Sequence, residues 1–179
     1  NVGEDFEINF DKEKIKEYVY KLASKYNTFG GNRDFLTTDG DKIKVSGGNY
    51  GWIIDQPKEV DELVKDLKEN KSIEREPIYS QTAVSRAKND IGDTYVEINM
   101  TKQHMWFYKN GNLITEGDVV TGNASNNWST PVGTYRLNYR ERNATLVGEN
   151  YSSPVNFWMP FNNNIGIHDA TWRNEFGGQ

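Results

Sequence analysis

Ile165-Gly166-Ile167-His168-Asp169-Ala170-Thr171-Trp172 is the stretch on which the reading of this chain turns. Ile165, Gly166 and Ile167 alternate as a short strand with one apolar face, and His168 stands where that alternation stops. At a strand's end a side chain leaves the sheet, so an imidazole there is presented to its surroundings. The chain holds only two histidines and no cysteine. Any mechanism that needs an imidazole therefore chooses between His168 and His104. His104 follows Thr101-Lys102-Gln103 and reads as a surface or turn residue, because loops are polar and exposed. Taken alone, His168 reads equally as a polar group satisfied by its neighbours.

Working back from that stretch, the second half of the chain is a succession of strands and turns. Tyr95-Val96-Glu97-Ile98-Asn99-Met100 and Met105-Trp106-Phe107-Tyr108 have strand composition. Lys109-Asn110-Gly111-Asn112 then leads to Leu113-Ile114-Thr115, and Asn-Gly between two such runs is a hairpin signal. Gly133-Thr134-Tyr135-Arg136-Leu137-Asn138-Tyr139 alternates again and predicts another strand.

The first half reads as α+β. Asp11 is placed to cap a helix whose apolar side is Ile15, Tyr18, Val19, Leu22 and Tyr26, ending near Asn27 before Gly30-Gly31. Lys42-Ile43-Lys44-Val45-Ser46 has the period of a half-buried strand, Gly47-Gly48-Asn49 reads as a turn, and Gly51-Trp52-Ile53-Ile54 as the next strand. Pro57 suits the first turn of a second helix carrying Val60, Leu63, Val64 and Leu67. From Lys71 to Asp93 the periodicity gives way to Pro77, Ser80, Ser85, Lys88, Asn89, Asp90 and Gly92. This places a domain boundary at residues 85–92, dividing the chain into an α+β domain over 1–88 and a mainly β domain over 89–179.

Composition removes several function classes. With 26 acidic against 21 basic residues the net charge is −5, and there is no basic stripe of the kind a nucleic-acid partner requires. No apolar run approaches the roughly 20 residues that cross a bilayer, so any membrane anchor is expected upstream. No Gly-x-Gly-x-x-Gly or P-loop frame is present. Two histidines without ligand-spaced partners do not make a metal site. Ser125 and Ser129 lack a Gly-x-Ser-x-Gly frame, which argues against a serine hydrolase.

Several motifs occur together in one order. Tyr95-Val96-Glu97-Ile98-Asn99 with Gln103 to Leu113 looks like an opening hairpin. Val119-Val120-Thr121-Gly122 is followed by Ser129-Thr130-Pro131-Val132-Gly133-Thr134-Tyr135. Phe157-Trp158-Met159-Pro160-Phe161 then precedes the histidine stretch. In this order they resemble the YkuD-type catalytic domain of the L,D-transpeptidases, over about half the chain from residue 94. In the first domain, Val45-Ser46-Gly47-Gly48-Asn49-Tyr50-Gly51-Trp52 and the helix after it are similar to the peptidoglycan-binding modules that precede some of these enzymes, enterococcal ones among them. Tyr50 and Trp52 are then either a stacking platform for sugar or peptide, or core aromatics beside a glycine turn, the reading that buried aromatics favour.

The resemblance implies acyl transfer on peptidoglycan stem peptides without a cofactor, an extracytoplasmic location facing the wall, and inhibition by carbapenem β-lactams. In that chemistry a cysteine thiolate attacks a donor peptide carbonyl, and an imidazole takes the thiol proton and later returns it. His168 is the implied base, and the backbone carbonyl of Asp169 is the implied acceptor that orients its other nitrogen, so that the Asp169 side chain is not required. Trp172 is either a wall of the substrate pocket or, equally, an ordinary core aromatic. Thr121, Thr130 and Pro131 are read as loop-shaping residues, and the oxyanion hole as backbone N–H groups beyond Gln179. The family's Ser-His-Gly-Cys motif is absent. The expectation is therefore a catalytic domain truncated before its nucleophile and inactive as it stands. The alternatives are a non-catalytic wall-binding protein and an unrelated β-rich adhesion module.

Overall fold

The computed structural model describes residues 10–70, 72–87, 89–148 and 150–178. The expected domain limits at Asn1, Lys88 and Gln179 lie outside the described residues. In chain order the elements are α1 (Lys12–Tyr26), β1 (Arg33–Leu36), β2 (Lys42–Val45), β3 (Ile53–Ile54), α2 (Gln56–Lys68), β4 (Tyr79–Gln81), β5 (Tyr95–Asn99), β6 (His104–Lys109), β7 (Asn112–Asp118), β8 (Glu141–Gly148), β9 (Tyr151–Asn162) and β10 (Ile165–His168). They form two compact units. One takes the chain up to Phe29 together with Gly51–Ala83, and the other takes Gly30–Tyr50 together with the chain from Val84 onward. The sequence boundary had assigned 30–50 to the first domain.

In the first unit α1 starts at Asp11, whose carboxylate accepts the N–H groups of Glu13 and Lys14 at 3.1 and 3.2 Å. Those are two of the donors that a helix start leaves without intrahelical partners. The buried side of the helix is Val19 and Ala23, and with Ile54 and Val60 they form a small core flanked by Ile15, Leu22, Leu63 and Tyr79. Tyr18 and Tyr26, expected on that side, stay exposed, as does Leu67 of α2. At 100° per residue Tyr18 lies at the margin of the Val19–Ala23 stripe, and Tyr26 and Leu67 lie in the last turns of their helices. Asp55 caps α2, accepting from the Lys58 N–H at 3.3 Å, with Pro57 in the first turn as expected. Buried Glu59 accepts from the Ile78 N–H at 2.8 Å and from Arg75 at 3.0 Å. That contact returns the chain to β4, which pairs antiparallel with β3.

In the second unit β5, β6 and β7 form an antiparallel meander. Its second turn is Asn110-Gly111, with φ of 51° and 75°, the left-handed pair that a tight two-residue hairpin demands. The β1–β2 hairpin belongs to this unit through two polar links. Arg33 grips Asp90 with Nε–Oδ1 of 2.7 Å and Nη2–Oδ2 of 2.9 Å, both side chains buried. Thr38 donates its N–H and its hydroxyl to Glu97 of β5.

The strand expected over 133–139 is not formed. Thr134 makes a single bridge to Gly48, and the stretch spends its other backbone groups on separate partners, with Arg136 N–H on Asn49 Oδ1 and Asn138 N–H on Pro160 O. Bonds scattered over unrelated segments do not make a ladder. Gly48 is obligatory there, since a Cβ would fall 2.0 Å from the Thr134 carbonyl oxygen. The remaining sheet has the order β10-β9-β8, all antiparallel. Its core is Ala144, Val155 and Trp158, with Leu146 packed beside them.

Candidate active site

β10 reaches β9 closely because of Gly166. A Cβ at that position would lie 2.6 Å from Trp158 Cζ3, 2.7 Å from Met159 O and 2.7 Å from Pro160 Cα. The register shifts between Ile165 and Gly166, opposite Pro160, which has no N–H to give the ladder. After that irregularity Ile167 pairs with Met159 and His168 with Trp158. The imidazole thus sits at the end of an edge strand, as its place after the Ile165–Ile167 alternation predicts.

His168 is exposed, and its Nδ1 lies 2.8 Å from the carbonyl oxygen of Asp169. A carbonyl only accepts, so Nδ1 carries the proton in this contact and Nε2 carries the lone pair when the ring is neutral. Nε2 has no hydrogen-bond partner among the described residues. The ring stands between two indoles, Trp158 at 6.0 Å and Trp172 at 5.9 Å between centroids. Trp158 is buried and Trp172 half exposed, so one indole belongs to the sheet and the other faces solvent beside the imidazole.

The Asp169 side chain is also engaged. Its Oδ1 accepts the Phe157 N–H at 2.8 Å, and its Oδ2 accepts the Asn156 N–H at 3.1 Å and the Asn156 side-chain amide at 2.9 Å. Burial pushes this carboxyl up, but the N–H groups of Phe157 and Asn156 outweigh it and hold the carboxyl below its ordinary value. The sequence reading used only the backbone of Asp169. The usable signal was an acidic residue directly after a four-residue strand.

The other candidates are placed elsewhere. His104 opens β6 instead of lying in a turn, with Nδ1 at 2.6 Å from Asp118 and Nε2 at 3.6 Å from Glu116. Thr121 and Thr130 shape a loop: Gln103 donates to Thr121 Oγ1 at 2.6 Å and accepts its N–H at 2.7 Å, while Thr130 Oγ1 accepts from Gly122 at 2.9 Å. A cavity of about 330 Å³ under this loop is lined by Met100, Gln103, Thr121 and Ser129 among others. None of these lining residues is a titratable group. Tyr50 and Trp52 fall in different units. The Tyr50 hydroxyl donates to Asp90 O at 2.6 Å and accepts from the Val84 N–H at 2.9 Å, and its ring lies against Arg33. Trp52 packs edge-on against Tyr79. Beyond Trp172 the chain returns to the end of β7, where Gly177 N–H donates to Val119 O at 3.1 Å. Among the described residues no group of three His, Asp or Glu side chains is placed to hold a metal ion, and no helix is long and apolar enough to cross a membrane.

Comparison with known proteins places the family and the fold. Residues 93–179 match the YkuD family, described as L,D-transpeptidase catalytic domain. Residues 2–74 match a family described as "Putative peptidoglycan binding domain", although 30–50 pack in the second unit. Among solved structures, a cysteine-to-serine mutant of the Enterococcus faecium L,D-transpeptidase superposes with a TM-score of 0.76 at 36% identity, over 99% of this chain and 72% of that one. The Ldtfm-avibactam carbamoyl enzyme gives the same score and identity over 99% and 70%. No curated protein matches the chain at a significant level.

Proposed function

This chain belongs to the L,D-transpeptidase family, and from that premise we propose that His168 is the general base of a cysteine acyl transfer that cross-links peptidoglycan stem peptides. The observation that carries the reading is the contact between His168 Nδ1 and Asp169 O, which leaves Nε2 with no hydrogen-bond partner among the described residues. Nε2 takes the proton of the thiol, and the thiolate attacks the carbonyl of the donor stem. The imidazolium then returns the proton to the departing D-alanine amine. The acceptor amine attacks the thioester, loses its proton to Nε2, and the thiol is regenerated. The Asp169 carbonyl stabilises the imidazolium that appears in both halves, the role of the third member of a triad.

Trp172, half exposed beside the imidazole, forms one wall of the stem-peptide pocket. The first unit is a peptidoglycan-binding module, and the protein works on the outer side of the membrane, facing the wall. The cysteine is not among these 179 residues, so the chain by itself does not transfer acyl groups. Carbapenems and related β-lactams acylate the cysteine wherever it is supplied. A second reading is a wall-binding protein that keeps the fold without the nucleophile.

Intact mass spectrometry after incubation with a carbapenem separates the two. The expected result is no adduct on the 179-residue chain, at 20.6 kDa, and one covalent adduct on the gene product isolated from its source. A source protein that takes no adduct overturns the enzyme reading and leaves the wall-binding one.

A further inference from the structure

We infer that the Asp169 carboxylate is a positioning residue for His168, tying the end of β10 to β9 so that the Asp169 carbonyl is aimed at Nδ1. The inference rests on the reading of His168 as the base and adds to it the device that sets its tautomer.

Three observations carry it. The pairing of β10 with β9 stops at His168 opposite Trp158, so the next donors along β9, Phe157 and Asn156, have no strand to meet on that side. The β8–β9 register passes from Arg142–Phe157 to Ala144–Val155, omitting Asn156, and Asn143 opposite it has a φ of 54°. The pairing skips this position with the register unchanged on either side, and here the Asn156 N–H converges with the Phe157 N–H on one carboxylate. That carboxylate takes both N–H groups and the Asn156 side-chain amide, at 2.8 to 3.1 Å. The side chain of Asp169 thereby replaces the next rung of the ladder.

The consequence for His168 is geometric. A carbonyl at the frayed end of an edge strand turns freely, whereas one whose own side chain is bonded at three points does not. The fixed carbonyl selects the Nδ1–H tautomer, although free imidazole in water favours the proton on Nε2. Without the tie, Nε2 carries the proton and cannot accept one from a thiol.

The test uses the 179-residue chain, because the tautomer needs no nucleophile. Nitrogen NMR of the neutral His168 ring in the unaltered protein is expected to report Nδ1–H, with the Phe157 amide exchanging slowly. In Asp169→Asn, which keeps the volume but turns an amide donor toward donors, the ring is expected to shift toward Nε2–H. The Phe157 amide there should exchange about ten to a hundred times faster, the factor a charge-assisted hydrogen bond supplies. Asn156→Ala removes one of the three bonds and should give a smaller shift in the same direction. An Nε2–H ring in the unaltered protein overturns the proposal even if a variant fails to fold. So does an Asp169→Asn ring that stays Nδ1–H. A wall-binding outcome in the mass experiment, with the tautomer as expected here, removes the enzyme reading and leaves the positioning intact.

Discussion

Replacing Gly166 by alanine tests the packing that sets the imidazole's position. The added Cβ meets Met159 O and Pro160 Cα at 2.7 Å, against an ordinary contact limit of 3.4 Å. Both are backbone atoms of the central strand and cannot swing away. The third neighbour, Trp158 Cζ3 at 2.6 Å, belongs to a buried indole with no room to turn. β10 must therefore lift from β9 by about 0.7 Å, the difference between those distances, which exceeds the ~0.5 Å tolerance of a working constellation. Overpacking of this kind costs about 1–3 kcal/mol. For a unit of roughly a hundred residues that lowers the melting temperature by about 4–20 °C. Gly166 has no positive φ, so the effect is steric and not conformational. The assay is thermal unfolding followed by near-ultraviolet dichroism, paired with the proton contacts between the His168 and Trp158 rings. A variant that melts within 1 °C of the unaltered protein with those contacts unchanged would refute the reasoning.

Two further outcomes follow from the polar links. Arg33→Ala leaves Asp90 charged and buried without its bidentate partner, since the pair is 6% and 8% exposed, and should cost about 3–5 kcal/mol in denaturant unfolding. The paired change Arg33→Met with Asp90→Leu should cost far less, because no buried charge remains. The Asp169 carboxyl is held below its ordinary value of 3.8, as its N–H bonds outweigh the upward push of burial. A lowered carboxyl contributes stability that is fully present above the ordinary value and is lost as pH falls through the lowered one. The Phe157 amide resonance should accordingly be constant across neutral pH and move only in that acid window. Movement near neutrality would show that another group controls it.

What the sequence revealed follows from how local each signal is. Asn110-Gly111 carries its own backbone requirement, and Asp11 and Pro57 mark their helix starts, so these features were legible from a few residues. The strand before His168 was legible for the same reason. The assignment of 30–50 to the second unit was not, because it depends on Arg33 finding Asp90 and Thr38 finding Glu97, partners nearly sixty positions away that no periodicity records. The Gly133–Tyr139 alternation was a true pattern with the wrong consequence, since Thr134 lies against Gly48, where a tight glycine turn occupies the place of a partner strand. The long β9 was obscured by Pro154 and Pro160, which argue against a central strand. Pro154 is tolerated because β10 pairs only with the stretch beyond it, and Pro160 because the register breaks opposite it.

These particulars put the determinants of the imidazole's position on β9, not on the strand that carries it. β10 is four residues long and is an edge strand of this sheet among the described residues. Such a strand sets a side chain within a fraction of an ångström only if a longer neighbour does so for it. β9 supplies Trp158 opposite His168, the Met159 and Pro160 backbone that admits only glycine at 166, and the two N–H groups that receive Asp169. Substitutions in β9 that touch neither the imidazole nor any substrate should therefore alter the behaviour of His168 more than substitutions at solvent-facing positions of β10.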